Sequence, residues 1–330
     1  MLSRDAIPDI LTFFISRLLP LWIILLAFIA FFFSRECRIF SHATNPAIGF
    51  VLLLMGLTLD KSRLFSLIRH PWESLIGSLG KWMIAPGVSV ALAYLFFSHN
   101  ESLRNGIIMA GIVPSGTSAN LNALIAGGDV AYSVTMTAID TIIGGPLLTP
   151  ALASVFAGAG IHVEYLPFVL KMMKIVFFPL IFGLILQIVF PVLKRILNKY
   201  TSIFSSLALF IVVLGVVSGA QASLESHMTI LLSVAVCVTL QVSLQMFFGY
   251  GLGRLLNFRS SDCRSLIFET GICNSALAAV LANSYFGSVA GVAAMANMVC
   301  NLTMGSLVAS LLSKKSYKGQ TKENLPIGEP

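Results

Sequence analysis

Two apolar segments of this chain are broken in the same way, 160 residues apart. The first reads Gly111-Ile112-Val113-Pro114-Ser115-Gly116-Thr117-Ser118-Ala119-Asn120, the second Glu269-Thr270-Gly271-Ile272-Cys273-Asn274-Ser275-Ala276. At that offset Arg104 falls on Arg264, Gly111-Ile112 on Gly271-Ile272, and Ser115 on Ser275. A helix interrupted inside a bilayer exposes amide and carbonyl groups, so it persists only where protein, water or an ion completes their bonds. A matched pair of such breaks in the two halves of one chain marks the substrate site of a secondary transporter.

Composition agrees with a membrane location. Of 330 residues, 57% are hydrophobic and 11% charged. A spanning helix needs about 20 apolar residues, and ten candidates follow: 17–34, 44–59, 73–97, 103–127, 130–158, 166–191, 203–221, 228–256, 264–284 and 287–312. The expected fold is an all-α membrane protein of about ten helices. It divides into a first half over 1–160, a second over 161–313 and a polar, irregular tail over 314–330.

The net charge of +7 is no nucleic-acid signal, because the basic residues sit in short loops. Lys61, Arg63 and Arg69, then Lys194, Arg195 and Lys199, then Arg254, Arg259 and Arg264, and finally Lys314 and Lys315 fall on one side. By the positive-inside rule both termini are cytoplasmic and the membrane is the inner one. Asp5 and Asp9 argue against a cleaved signal peptide at Met1–Pro20. The five cysteines lack metal-ligand or CxxC spacing and read as small membrane residues, so no cofactor is expected.

Charged side chains near mid-bilayer cost about 3 kcal/mol or more and mark function. Three qualify: Glu269 before the second break, Lys81 one turn ahead of Pro86, and Asp140 ten residues into the fifth span. Hard cations take oxygen ligands. Asn120 stands beyond the first break, and Ser133 and Thr137, spaced i, i+4, share one helix face. With Glu269 they compose a candidate cation site. The amino ends of the half-helices, near Thr117-Ser118 and Asn274-Ser275, favour an anionic group, with Asn274 and Asn301 as polar groups around it.

These residues resemble the bile acid:sodium symporter superfamily. Its PGGTASN motif is similar to Pro114 to Asn120. Its Gly-Asp-Val-Ala-Leu-Ser-Val turn is similar to Gly128 to Val134, and its Pro-Leu-Leu-Thr-Pro to Pro146 to Pro150. Cys263-Arg264-Ser265, Glu269, Gly271, Asn274-Ser275 and Leu277-Ala278 resemble its second crossing motif. The resemblance implies two inverted five-helix repeats, a core and a panel domain, and alternating access by rocking between them. It implies a first sodium site at Asn120, Ser133, Thr137 and Glu269, and a second at Glu269 with the main chain of Thr270 and Ile272. Ala119 replaces a family serine at the first site. At the second, Lys81 and Cys273 replace family glutamines, and Asp140 replaces a family serine. Lys81 and Asp140 are therefore expected as a compensating charge pair, leaving one sodium, or a proton, to drive transport.

The function expected is import of a small organic anion, bile-acid-like or a small carboxylate such as pantoate or a keto acid. Its partners are that anion and the lipid bilayer. One rival is an intramembrane hydrolase, since Gly127-Gly128-Asp129 is similar to a protease GxGD. Residue 126 is Ala, however, and no HExxH or GxSG motif occurs. The other rival is an anion receptor that does not transport.

Overall fold

The structure, a computed structural model, describes residues 18–58, 71–156, 165–190, 200–225 and 228–323. The basic loops carrying Lys61 to Arg69 and Lys194 to Lys199, the first 17 residues and the expected division near residue 160 lie outside them. The described residues are almost entirely helical, as they must be where backbone groups can be satisfied only within their own segment.

Helix α1 is Leu19–Phe32, α2 is Thr44–Thr58 and α3 is Pro71–Phe97. The first broken segment is α4 (Glu101–Gly111) followed by α5 (Thr117–Ile125). Next, α6 (Val130–Ile139) passes through a π turn at Asp140–Gly144 into α7 (Gly145–Phe156). Helix α8 (Tyr165–Met172) passes through a second π turn, Met173–Phe177, into α9 (Phe178–Val189). The long α10 (Thr201–Glu225) and α11 (Met228–Leu255) precede the second broken segment, α12 (Ser260–Gly271) and α13 (Ser275–Phe286). The last helix, α14, is Ser288–Glu323. It carries the expected irregular tail as helix as far as Glu323. That stretch has one glycine and no proline, and its Lys, Gln and Glu are good helix formers.

Among the described residues six stretches are long and apolar enough to cross a bilayer unaided: Ser34–Leu54, Trp72–Phe97, Val130–Phe156, Ile203–Gln221, Leu231–Leu255 and Ser288–Ser313. The other four expected spans are the two broken ones, the short α1, and the sixth, where the π turn divides α8 from α9. The chain is an all-α, multi-pass membrane protein.

Helices α1, α2, α9 and α10 pack as one group. Its tightest contact is glycine on backbone: a Cβ at Gly56 would lie 2.2 Å from the Leu180 carbonyl oxygen, and one at Gly183 2.2 Å from that of Leu53. Lipid gives helices little hydrophobic drive to associate, and such close approach through small residues supplies it instead. The second group sets α3 against α4 and α11, α11 against α12, and α14 against α4 and α13. A continuous apolar core joins the groups, with Leu52, Val213, Ile107 and Leu277 buried in it.

Candidate functional site

The two breaks cross and bond to each other. Gly116 N–H donates to the Ile272 carbonyl at 2.9 Å, and Asn274 N–H to the Pro114 carbonyl at 2.8 Å, closing a two-residue antiparallel bridge. This contact needs a glycine, since a Cβ at Gly116 would stand 2.8 Å from the Cys273 carbonyl oxygen. Side chains complete the remaining carbonyls. Thr149 Oγ1 donates to Ile112 O (2.6 Å), Lys81 Nζ to Val113 O (3.0 Å), Ser115 Oγ to Glu269 O (2.9 Å) and Asn301 Nδ2 to Cys273 O (3.3 Å). Groups that helix ends leave orphaned are thus met from α3, α7, α14 and the facing break.

Asn120, Ser133, Thr137 and Glu269 converge. Ser133 Oγ lies 2.8 Å from Asn120 Oδ1 and 2.5 Å from Glu269 Oε1. Thr137 Oγ1 lies 3.2 Å from Asn120 Oδ1 and 3.1 Å from each Glu269 oxygen. Glu269 is completely buried. Two hydroxyl hydrogens face three acceptor oxygens here, so the cluster has more lone pairs than protons to fill them. Thr270 and Ile272, expected to offer their main chain at a second site, follow Glu269 into the second break. The Thr270 hydroxyl turns back to the carbonyls of Leu266 (2.7 Å) and Gln245 (3.0 Å), and the Ile272 carbonyl is engaged by Gly116.

Lys81 and Asp140, 59 positions apart in the sequence, form a fully buried ion pair at 3.0 Å. Asp140 Oδ1 also accepts from Ser78 Oγ (2.5 Å) and Trp82 Nε1 (3.0 Å), and Oδ2 from Ser115 Oγ (2.7 Å). The ammonium of Lys81 rests 4.0 Å from the centroid of the Trp82 ring. Asp140 opens the π turn of the fifth span, a local widening of the kind that recurs at functional positions. The single proton of Ser115 Oγ is shared between the Asp140 carboxylate and the Glu269 carbonyl, so this hydroxyl links the ion pair to the oxygen cluster.

A cavity of about 710 Å³ separates the two helix groups. One wall is apolar, with Val51 and Leu52 from α2 and Leu180 and Leu184 from α9, and gains hydroxyls from Thr201, Ser205 and Ser206 of α10. The opposite wall holds the amino ends of α5 and α13, with Thr117, Asn120, Thr137, Asn274 and Asn301. None of the described lining residues is charged. The oxygen cluster therefore adjoins the space in which two helix dipoles present their positive ends. Asn274 caps α13, its side chain accepting from Leu277 N–H at 3.2 Å. Asp129 caps α6 through Tyr132 N–H (3.0 Å) and pairs with Arg259 (3.3 Å). These contacts give Asp129 a helix-ending role rather than that of a paired catalytic acid.

Sequence reasoning passed over Ser78, Trp82, Gln241, Gln245 and Asn297, all of which hold this region together. A signal was present. Ser74, Ser78, Lys81 and Ser89 follow helical spacing along one buried face of α3, and Gln241 and Gln245 are an i, i+4 amide pair in an apolar span.

Comparison with known proteins bears on what this geometry serves. The sequence profile described as the Sodium Bile acid symporter family matches residues 45–230. The uncharacterized sodium-dependent transporter YocS of Bacillus subtilis is 28% identical over 307 residues, 93% of this chain and 94% of that protein. The probable sodium/metabolite cotransporter BASS2, chloroplastic, of Oryza sativa subsp. japonica is 30% identical over 170 residues, 51% of this chain and 40% of its own length. The sodium/bile acid cotransporter 4 of Mus musculus is 27% identical over 134 residues, 38% of this chain and 30% of its own. These are transporters, not enzymes, and this chain belongs to the sodium bile acid symporter family.

Proposed function

We propose that this protein is a sodium-coupled symporter of the bacterial inner membrane that imports a small organic anion, with one sodium ion per anion. One observation carries the reading. The proton-poor oxygen cluster of Asn120, Ser133, Thr137 and Glu269 borders the same cavity as the amino ends of α5 and α13. A cation among those oxygens would neutralise Glu269 and steady both half-helix ends, and each ligand would thereby favour the other. Relatives described as a sodium-dependent transporter and a sodium/metabolite cotransporter support sodium as that cation.

Lys81 supports the stoichiometry. Its ammonium already takes the Asp140 carboxylate and the Val113 carbonyl at the crossing, oxygens that a second monovalent cation there would need. The cavity reaches Leu19, Val130 and Thr201, the starts of α1, α6 and α10, on the side the positive-inside rule makes cytoplasmic. This supports an inward-open state, with both termini on that side.

The test is uptake into proteoliposomes holding purified protein. An inward sodium gradient is expected to drive accumulation of a carboxylate, with a sodium Hill coefficient near one. Binding without accumulation would make the protein a receptor, and uptake indifferent to sodium would reject the ion assignment.

A further inference from the structure

The amide of Asn301 meets the cavity with a fixed polarity, set by the Cys273 carbonyl at its nitrogen and by a chain of amides behind it. Gln241, fully buried in α11, directs its Nε2 hydrogens at the Ile107 carbonyl (3.0 Å) and Ser89 Oγ (2.6 Å). A main-chain carbonyl can only accept, so Gln241 cannot turn over. Its Oε1 therefore faces Asn297, which donates through Nδ2 at 3.0 Å. That bond leaves Asn297 Oδ1 to accept from Ser275 Oγ (3.0 Å). Ser275 Oγ, with the Cys273 thiol also beside it at 3.0 Å, accepts from Asn301 Nδ2 at 2.6 Å. Asn301 Nδ2 also lies 3.3 Å from Asn297 Oδ1 and 3.3 Å from the Cys273 carbonyl. Turned over, Asn301 would set its oxygen against these acceptors. Among the described residues every hydrogen bond of Asn301 runs through nitrogen, and its Oδ1 is left for whatever occupies the cavity it lines.

The same layout occurs around the other break, with charge in place of amides. The offset of 160 that takes Ser115 to Ser275 also takes Lys81 to Gln241. Ser115 donates to Asp140, which pairs with Lys81. Ser275 donates to Asn297, which pairs with Gln241. One half stores a charge pair behind its serine, and the other a chain of amides with a defined direction.

Resting on the transport reading above, we infer that Asn301, held by the Cys273 carbonyl and steadied from behind by the positioning residues Gln241 and Asn297, is a hydrogen-bond acceptor for the substrate. The transported anion therefore carries a hydroxyl or other donor beside its carboxylate. The half-helix amino ends supply donors for the carboxylate, and Asn301 supplies the acceptor for the neighbouring donor. A 2-oxo acid offers only acceptors there and would leave two oxygens face to face. Sites built around a substrate hydroxyl reject analogues that lack it far more strongly than apolar pockets reject a missing methylene.

The test uses the purified full-length protein and two pairs of acids with matched skeletons, lactate with pyruvate and 2-hydroxyisovalerate with 2-oxoisovalerate. Affinity is read by thermal shift and by competition for uptake at fixed sodium. In each pair the hydroxy acid is expected to bind about tenfold or more tightly than its oxo partner. Asn301→Ala removes the acceptor and is expected to bring that ratio to about one. Gln241→Leu frees Asn297 to turn and leaves Asn301 held by the Cys273 carbonyl alone, and is expected to shrink the ratio only in part while sodium-dependent stabilisation persists, a split that simple loss of packing would not produce. If Gln241→Leu does not fold, Asn297→Leu makes the same comparison. Sodium-dependent binding with equal affinities within each pair would overturn this inference and leave the transport reading standing. Failure of all four acids to bind, with sodium or without, would overturn both.

Discussion

The Lys81–Asp140 pair allows a quantitative test of whether charge is stored at the crossing. At 3.0 Å the attraction is about 5 kcal/mol for an effective dielectric of about 20, and desolvation of both ions offsets much of it. The asymmetry between single and double replacement is more informative. Asp140→Ser strands a buried ammonium and removes the acceptor of Ser78, Trp82 and Ser115, each of which loses a bond. Lys81→Gln strands a carboxylate that retains those three donors. Removing one partner of a buried pair typically costs about 3–5 kcal/mol, and Asp140→Ser belongs at the upper end, Lys81→Gln at the lower. The double variant restores neutrality, so its loss is expected to fall short of the sum by about 2–3 kcal/mol. Denaturation of the purified variants in one lipid–detergent mixture gives the cycle. Sodium-dependent uptake gives the functional arm, with a Hill coefficient near one for the natural sequence and a higher one for the double variant. Strict additivity would mean that the two charges are compensated elsewhere. A coefficient near two in the unaltered protein would refute the assignment of Lys81 to a second ion's place.

Glu269→Ala is expected to fold yet lose sodium-driven accumulation entirely, which counterflow against purified protein in liposomes would reveal. Ser133→Ala and Thr137→Ala should each raise the half-saturating sodium concentration by about fivefold to tenfold, the share of a hydrogen-bonding ligand worth about 1 kcal/mol, with a smaller change in substrate affinity. Equal changes in both would return these hydroxyls to a packing role. Thr117→Ala and Asn274→Ala should show the reverse split, substrate affinity falling more than twofold at unchanged sodium dependence. Gly183→Leu drives a side chain into the Leu53 carbonyl and should prevent α2 and α9 from packing, read as loss of a monodisperse, folded species on gel filtration.

Much of this was legible before any coordinates. The breaks were visible because Pro114, Gly116 and the Gly271 to Asn274 stretch interrupt otherwise apolar runs, and bilayer chemistry makes such interruptions costly. The closeness of Lys81 and Asp140 could be anticipated because unpaired charges do not rest in lipid. Less legible was which helix face meets which. Ser78 and Trp82 reach Asp140 only through the rotation of α3 against α6, and no local pattern states that phase. The π turn at Asp140 was equally hidden, because one residue wider than an α-turn leaves no compositional mark. The direction of the Gln241–Asn297–Asn301 chain depends on one carbonyl, that of Ile107, whose availability only packing reveals.

The bridge between the breaks has a mechanical consequence. With Gly116 held to Ile272 and Asn274 to Pro114, the tips of α5 and α13 behave as a clasp: neither can tilt without drawing the other. Ser115, gripping Asp140 and the Glu269 carbonyl, rivets the same clasp to the π turn after α6 and to α12. Compliance must then lie elsewhere, along the seam where hydroxyls of α10 and leucines of α9 face the cavity. An engineered crosslink across that seam, such as one joining Thr201 to Val130, would arrest turnover while leaving both ligands able to bind, whereas a crosslink within the clasp would cost the transporter nothing.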